Sequence, residues 1–234
     1  MGFGKRYQNA VKDIEAEKLY ALADAVALAK KAATAKFDET IEMHFRLGID
    51  PRHSDQQVRS TVLLPNGLGK KVRVIVFVEN GDDVRKAEAA GADIIGDEAT
   101  LARIQNEGWL DFDAALAVPS MMAKIGRVAK ILGPRGLMPN PKAGTVVQPD
   151  GLENAIRELK AGRVEFRNDK TGNLHVPVGK ASFDVDKIAE NAQAILDAVQ
   201  RNRPATVKGI FIKRLVVTST MGPSVKVEVG GQSA

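Results

Sequence analysis

Lys71-Val-Arg-Val-Ile-Val-Phe-Val-Glu-Asn-Gly-Asp-Asp-Val-Arg-Lys-Ala-Glu-Ala-Ala90 decides the fold. Val72, Val74, Ile75, Val76, Phe77 and Val78 form a nearly continuous apolar run, as in a strand buried on both faces. A helical stretch follows at Asp82 to Ala90. Beyond it, Ala92 to Gly96 reads as strand, Glu98 to Glu107 as helix, Phe112 to Val118 as strand and Ser120 to Leu132 as helix. Strands alternating with helices imply a small parallel sheet covered by helices, a Rossmann-like α/β unit.

The flanks follow a different rule. Ile41, Met43, Phe45, Leu47 and Ile49 alternate with Thr40, Glu42, His44 and Arg46, the signature of a half-exposed antiparallel strand. Val58, Ser60, Val62 and Leu64 repeat it. Val164 and Phe166, then Asn168-Asp-Lys-Thr-Gly172, then Leu174, Val176 and Val178 read as a hairpin with a longer turn, its polar face showing Arg163, Arg167 and His175. A helix at Asp184 to Arg201 carries Ile188, Ala192, Ile195 and Val199 on one stripe, and strands follow over Gly209 to Thr220 and Val225 to Val229. The predicted architecture is an α+β domain made from both chain ends, residues 1–67 and 161–234, interrupted by an inserted α/β domain at 68–160. Gly67, Gly69 and Gly162 mark the two crossings and are the candidate hinge. A single rigid domain with glycine turns is the alternative.

Charge separates the same regions. The formal net charge is +5, with 10 basic against 9 acidic residues in 1–66, 13 against 13 in 67–160 and 11 against 7 in 161–234. With a pI near 9.4, the ends are biased toward an anionic partner, leaving RNA, DNA and acidic lipid open. The absence of cysteine excludes disulfides, thiolate metal sites and a cysteine nucleophile. The start, Met1 to Tyr7, lacks the apolar core of a secretory signal, and Arg6 stands where myristoylation at Gly2 would want Ser or Thr. No apolar run is long enough to span a bilayer, so a soluble cytoplasmic protein with no membrane partner is expected.

Machinery for catalysis is missing from the pattern. His44, His53 and His175 lack zinc-ligand spacing. Asn66-Gly-Leu-Gly-Lys-Lys71 fails as a phosphate loop: position 71 is Lys, Leu64 replaces the upstream Gly, and the strand follows it instead of preceding it. The turn after Val78 is acidic, which repels a pyrophosphate. No metal or cofactor is called for. An enzyme using the inserted domain on a nucleotide or sugar phosphate is the competing class, and a DNA-binding regulator lacks a helix with basic residues on one exposed face.

Binding residues are easier to find. No acidic residue occurs between Ala114 and Gln148, and this gap holds Ile131-Leu-Gly-Pro-Arg-Gly-Leu-Met-Pro-Asn-Pro-Lys-Ala-Gly-Thr145, a loop presenting Arg135 and Lys142. Its cations either meet phosphate or are merely solvated. The end-built part adds Lys36, Arg163, Arg167, Lys170 and His175. With only 5% aromatic residues, stacking on single strands fits less well than recognition of a folded RNA's shape, backbone and 2′-hydroxyls. Thr218-Ser-Thr-Met-Gly-Pro-Ser224 is a hydroxyl-rich strand end whose Gly222 would let another backbone approach closely.

Lys36-Phe-Asp-Glu-Thr40, Gly67-Leu-Gly-Lys70, the Ile131 to Gly144 run, Phe166-Arg-Asn-Asp-Lys-Thr-Gly172 with His175, and Thr220-Met-Gly-Pro-Ser224, in this order, resemble the bacterial form of large ribosomal subunit protein one. The resemblance covers essentially the whole chain. It implies a two-domain protein of the mobile stalk beside the transfer-RNA exit site, a monomer when free and ribosome-associated in the cytoplasm. Its implied partners are large-subunit ribosomal RNA, exit-site transfer RNA, its own operon's messenger, which it represses, and other components of the large subunit. Carried over by motif, the grip on RNA would be Lys36, Phe37 and Thr40, with Arg167, Asp169, Lys170, Thr171, Gly172 and His175, closed by Thr218, Thr220, Met221 and Gly222. Phe37 and Met221 would lie against sugar or base, and the threonines would take hydroxyl contacts.

Overall fold

The computed structural model describes residues 4–230, so the reading of Gly2 falls outside the described residues. Two larger sheets of different character and a small two-stranded one organise the protein. The chain begins with α1 (Lys5–Val11) and α2 (Leu22–Ala32), then β1 (Thr40–Leu47) and β2 (Arg59–Leu63). The inserted part runs β3 (Val74–Phe77), α3 (Gly81–Ala89), β4 (Ile94–Gly96), α4 (Glu98–Glu107), β5 (Ala114–Ala117), two single turns α5 (Met122–Ile125) and α6 (Ala129–Leu132), and α7 (Leu152–Ala161). β6 (Arg163–Arg167), β7 (Asn173–Lys180), α8 (Val185–Arg201), β8 (Ile212–Ser219) and β9 (Val225–Val227) complete it.

One compact unit runs to Gly69 and resumes at Val164; the other is Lys70–Arg163. These limits lie two to three residues from the insertion expected at 68–160. Local bonds explain the first shift. Asn191 of α8, fully buried, donates to the carbonyls of Gly67 and Val178 at 2.9 and 2.8 Å and accepts from the Asn66 amide at 3.1 Å. Gly69, at φ +72, packs so tightly on the Phe183 ring that a Cβ would overlap it. Gly67 and Gly69 thus belong to the end-built unit.

In that unit the antiparallel sheet has the order β7-β1-β8-β9. Ile41, Met43, Phe45 and Leu47 of β1 are buried with Leu174, Val176 and Val178 of β7, Leu215 and Val217 of β8, and the α8 stripe Ile188, Ala192, Ile195 and Val199. The strand period of two therefore turns Thr40, Glu42, His44 and Arg46 to the other face. The expected hairpin of residues 164–178 does not form: β6 pairs with β2 in a separate two-stranded sheet, while β7 joins β1. Asn168 causes the departure. Its amide donates to the Val58 carbonyl at 3.0 Å, and its side-chain oxygen accepts from the Val58 amide at 2.7 Å, which fastens this chain to the β2 side before it turns.

The inserted unit is a parallel three-stranded sheet, β4-β3-β5, with β3 buried throughout. The helix expected over Ser120–Leu132 is broken into α5 and α6 by 3-10 turns at Pro119–Met121 and Gly126–Val128. Met121, Ile125, Val128 and Leu132 nonetheless keep a helical spacing into the core.

Candidate nucleic-acid interface

Glu39 organises one end of the open sheet. The residue is 1% exposed. One carboxylate oxygen accepts from the Ala35 amide at 2.8 Å, and the other accepts from the Ser219 hydroxyl at 2.8 Å and the Met221 amide at 2.9 Å. Burial alone would raise its pKa, but these hydrogen bonds and the Arg6 charge outweigh it and hold the carboxyl below its ordinary value. The loop carrying Lys36 and Phe37 is thereby tied to the turn carrying Met221. A second seam runs alongside, where Thr220 N donates to the Thr40 carbonyl at 3.0 Å and Thr40 N donates to the Thr220 hydroxyl at 3.0 Å. Phe37 and Met221, 56% and 51% exposed, project from these two fastened loops.

Gly222 plays a part the sequence did not reveal. A Cβ there would run into the Ser219 hydroxyl that serves Glu39, so a side chain at this position would turn that hydroxyl away from the carboxylate. The Thr218 hydroxyl lies within 3.3 Å of the carbonyls of Ser219, Gly222 and Pro223 and closes the same turn. Thr40 Oγ1 accepts from Lys180 Nζ at 3.0 Å.

The other end is the turn from Arg167 to Asn173. Asp169 points into it, accepting from the Thr171 amide and hydroxyl at 2.8 Å and the Asn173 amide at 2.8 Å. Burial opposes ionisation, and the bonds from Asn173 and Thr171 overcome it, keeping this carboxyl well below the usual carboxylate range. Gly172 takes φ +82, the left-handed region that favours glycine. Arg167, Lys170 and Thr171 are exposed on the turn.

Between the two ends lies the outward face of β1, where register brings His44 opposite His175 of β7 and Val216 of β8. The Nδ1 atoms of His44 and His175 are 2.8 Å apart, so one donates and the other accepts, and a single proton lies between them. Desolvation, then the neighbouring His175, lowers the His44 pKa, with Glu42 opposing. Arg46 donates to the Thr171 carbonyl and, at 3.1 Å, to Asn173 Oδ1. From Thr40 to Arg46 this strip is about 20 Å long, at roughly 3.3 Å per strand residue.

The structure thus gathers Lys36, Phe37, Thr40, Thr218, Thr220, Met221 and Gly222 at one end and Arg167, Asp169, Lys170, Thr171, Gly172 and His175 toward the other. Arg163 falls at the last position of the inserted unit. Its guanidinium meets Glu158 at 2.9 Å and the Ala143 carbonyl at 3.0 Å, contacts within the inserted unit. Arg135 and Lys142 are exposed on that unit too. Glu39, Glu42, His44, Arg46 and Lys180 were not assigned from sequence. Alternation had placed Glu42, His44 and Arg46 on the polar face, but their cross-strand partners come only from the register.

In the inserted unit, the ends of parallel strands where such folds hold phosphates are acidic. Lys124 bridges Glu79, after β3, and Glu98, at the start of α4, at 2.7 Å each, so fixed carboxylates line the place a nucleotide would need. Among the described residues no cluster of His, Asp or Glu could hold a metal ion, and no helix is long and apolar enough to cross a membrane.

A rigid rim of loops, exposed apolar tips and hydrogen-bonding side chains describes a binding protein. The family model described as the ribosomal protein L1p/L10e family matches residues 29–223, and the chain belongs to that family. It is a structural, ribosome-associated protein of the large ribosomal subunit that binds ribosomal RNA, and not an enzyme.

Proposed function

We propose that the end-built unit grips a folded segment of large-subunit ribosomal RNA along the strip from Phe37 and Met221 to the Asp169 turn. The observation that carries this is two exposed apolar side chains on loops fastened by one buried carboxylate. Such a pair suits the flat face of a sugar or base, and its rigidity spares the ordering cost of binding. Lys36, Arg167 and Lys170 meet phosphates, while Thr40, Thr171, Thr218, Thr220 and His175 offer polar atoms to the backbone and 2′-hydroxyls. Asp169, Gly172 and Gly222 act by shaping the turns. Arg163, and Arg135 with Lys142 on the inserted unit, add contacts on a larger RNA.

In this reading the protein works in the mobile stalk, in the cytoplasm and beside other large-subunit components, and flexing near Gly67, Gly69 and Gly162 accompanies movement and release of exit-site transfer RNA. The free protein is a monomer. Its own operon's messenger, folded into the same local shape, occupies the same strip once ribosomal RNA is used up, and translation is repressed by mass action.

Competition tests it. Ribosomal RNA and the messenger leader should exclude each other on one protein molecule, and Thr220→Val with Met221→Ala should weaken both. A ternary complex, or a variant that loses one RNA and keeps the other at full strength, would show that two surfaces are involved.

A further inference from the structure

We propose that His44 and His175 form, with Arg214, a proton-accepting seat for one RNA phosphodiester at the middle of the strip, and that the pair takes up one proton from solvent when RNA enters. The proposal rests on the reading that this strip grips RNA, and it adds to that reading a dependence of affinity on pH.

Strand register builds the seat. The pairing of β1 with β8 shifts between Arg46 and Leu47, so Lys213 is the extra residue of a bulge and both Lys213 and Arg214 are exposed. Arg214 then stands directly opposite Arg46, a like-charge cross-strand pair that costs stability unless an anion joins it. Arg46 is already engaged by Thr171 and Asn173. Among the described residues Arg214 makes no side-chain hydrogen bond or ion pair. With Lys213 and the two imidazoles it lines an open cleft over the sheet.

The two rings are one proton short of a complete chain. Their Nδ1 atoms are 2.8 Å apart, and the outer Nε2 atoms lie 3.7 Å from Glu42 and 3.9 Å from Asp169. A hydrogen at each of these three places would link one carboxylate to the other. Two neutral rings carry only two such hydrogens, so one Nε2 lone pair is left facing a carboxylate. One added proton fills that gap. A second would set N–H against N–H across the 2.8 Å contact, so uptake stops at one. The side chain of His44 is 26% exposed and that of His175 is 56% exposed, so His175 meets the ligand and His44 positions it.

The charges facing the pair oppose one another. Glu42 on β1 and Asp169 on the turn favour the protonated form, while Arg46 on β1 and Lys213 and Arg214 on β8 disfavour it. Lys226 on β9, opposite Val216, is drawn to Glu17 at 3.0 Å. Burial, then the His175 ring, keeps His44 below its ordinary value in the free protein. A phosphodiester held by Arg214 neutralises the cations and leaves the carboxylates to dominate, so phosphate binding and protonation favour each other.

The test uses the full chain and intact large-subunit ribosomal RNA at fixed salt. A pKa raised on binding makes affinity rise as pH falls, by about tenfold in all between about pH 7.5 and 5.5 for a shift of one unit. Calorimetry in two buffers of different ionisation heat should then count about half a proton taken up per complex at the midpoint of the rise. His44→Gln and His175→Gln should each abolish the uptake, and His53→Gln, at the histidine outside the strip, should keep it. A His44 ring that merely shaped the strand would instead change affinity equally at every pH. Arg214→Gln should reduce affinity and uptake together. A pH-independent affinity, an equal rise in the His44→Gln protein, or uptake above one proton would each overturn the proposal. Thr220→Val with Met221→Ala keeps the two readings apart. If that variant binds RNA weakly while the parent takes up no proton, the grip stands and the seat is wrong; if it binds like the parent while uptake persists and depends on His44, the seat stands and the grip at Phe37 and Met221 is wrong.

Discussion

Replacing Glu39 by Gln removes one charge and one acceptor from the most buried polar junction of the interface. The carboxylate receives the Ala35 amide on one oxygen and the Ser219 hydroxyl and Met221 amide on the other. A Gln amide has one acceptor oxygen. In its better orientation it keeps Ser219 and Met221 but turns its NH2 toward the Ala35 N–H, leaving a buried donor unmet at about 1–3 kcal/mol. The two surviving bonds lose their charge assistance and about half their strength. The expected loss is about 3 kcal/mol, which still leaves a folded protein within an ordinary total of roughly 5–15 kcal/mol. RNA affinity should fall about tenfold, or roughly 1.4 kcal/mol, because the loops bearing Phe37 and Met221 are then held together only by the weakened Ser219 and Met221 bonds and the Thr40–Thr220 seam. The salt slope should stay unchanged, as no phosphate contact is lost. Urea unfolding at neutral pH and filter binding across a salt series measure the two effects. The pH dependence has a definite sign. Because the folded-state pKa lies below the ordinary value of 4.5, this carboxylate's stabilisation is present above that value and is lost as pH falls through the folded-state pKa. The Gln variant should lack that part of the acid dependence. Parental stability, or lost stability with parental affinity, would refute the claim that Glu39 holds the interface together.

Gly222→Ala should cost about 1–3 kcal/mol of stability before any RNA is added, since its Cβ displaces the Ser219 hydroxyl from Glu39; a variant of parental stability that binds RNA poorly would return the glycine's role to RNA approach alone. His44→Gln should flatten stability against pH just below about 6.5, because a lowered folded-state pKa makes the parent lose stability as pH falls through that window; identical pH profiles of the two proteins would rule this out.

Periodicity by itself determined much of the local character of the chain. A run such as Val74 to Phe77 must be buried on both faces, and strict alternation from Thr40 to Leu47 must divide one strand between core and surface, because both consequences follow from local side-chain direction. The α/β character of the insertion and the polar identity of Glu42, His44 and Arg46 were therefore legible, as were the motifs carrying the family resemblance. Partners remote in sequence were not. That Glu39 would reach Ser219 and Met221, that His44 would face His175, and that Asn168 would send β6 to β2 instead of into a hairpin depended on strand order and register. Gly222 shows the division clearly. Its lack of a side chain is written in the sequence, but the atom that needs the space, the Ser219 hydroxyl, is identified only when the turn closes on a buried carboxylate whose three donors come from both ends of the chain.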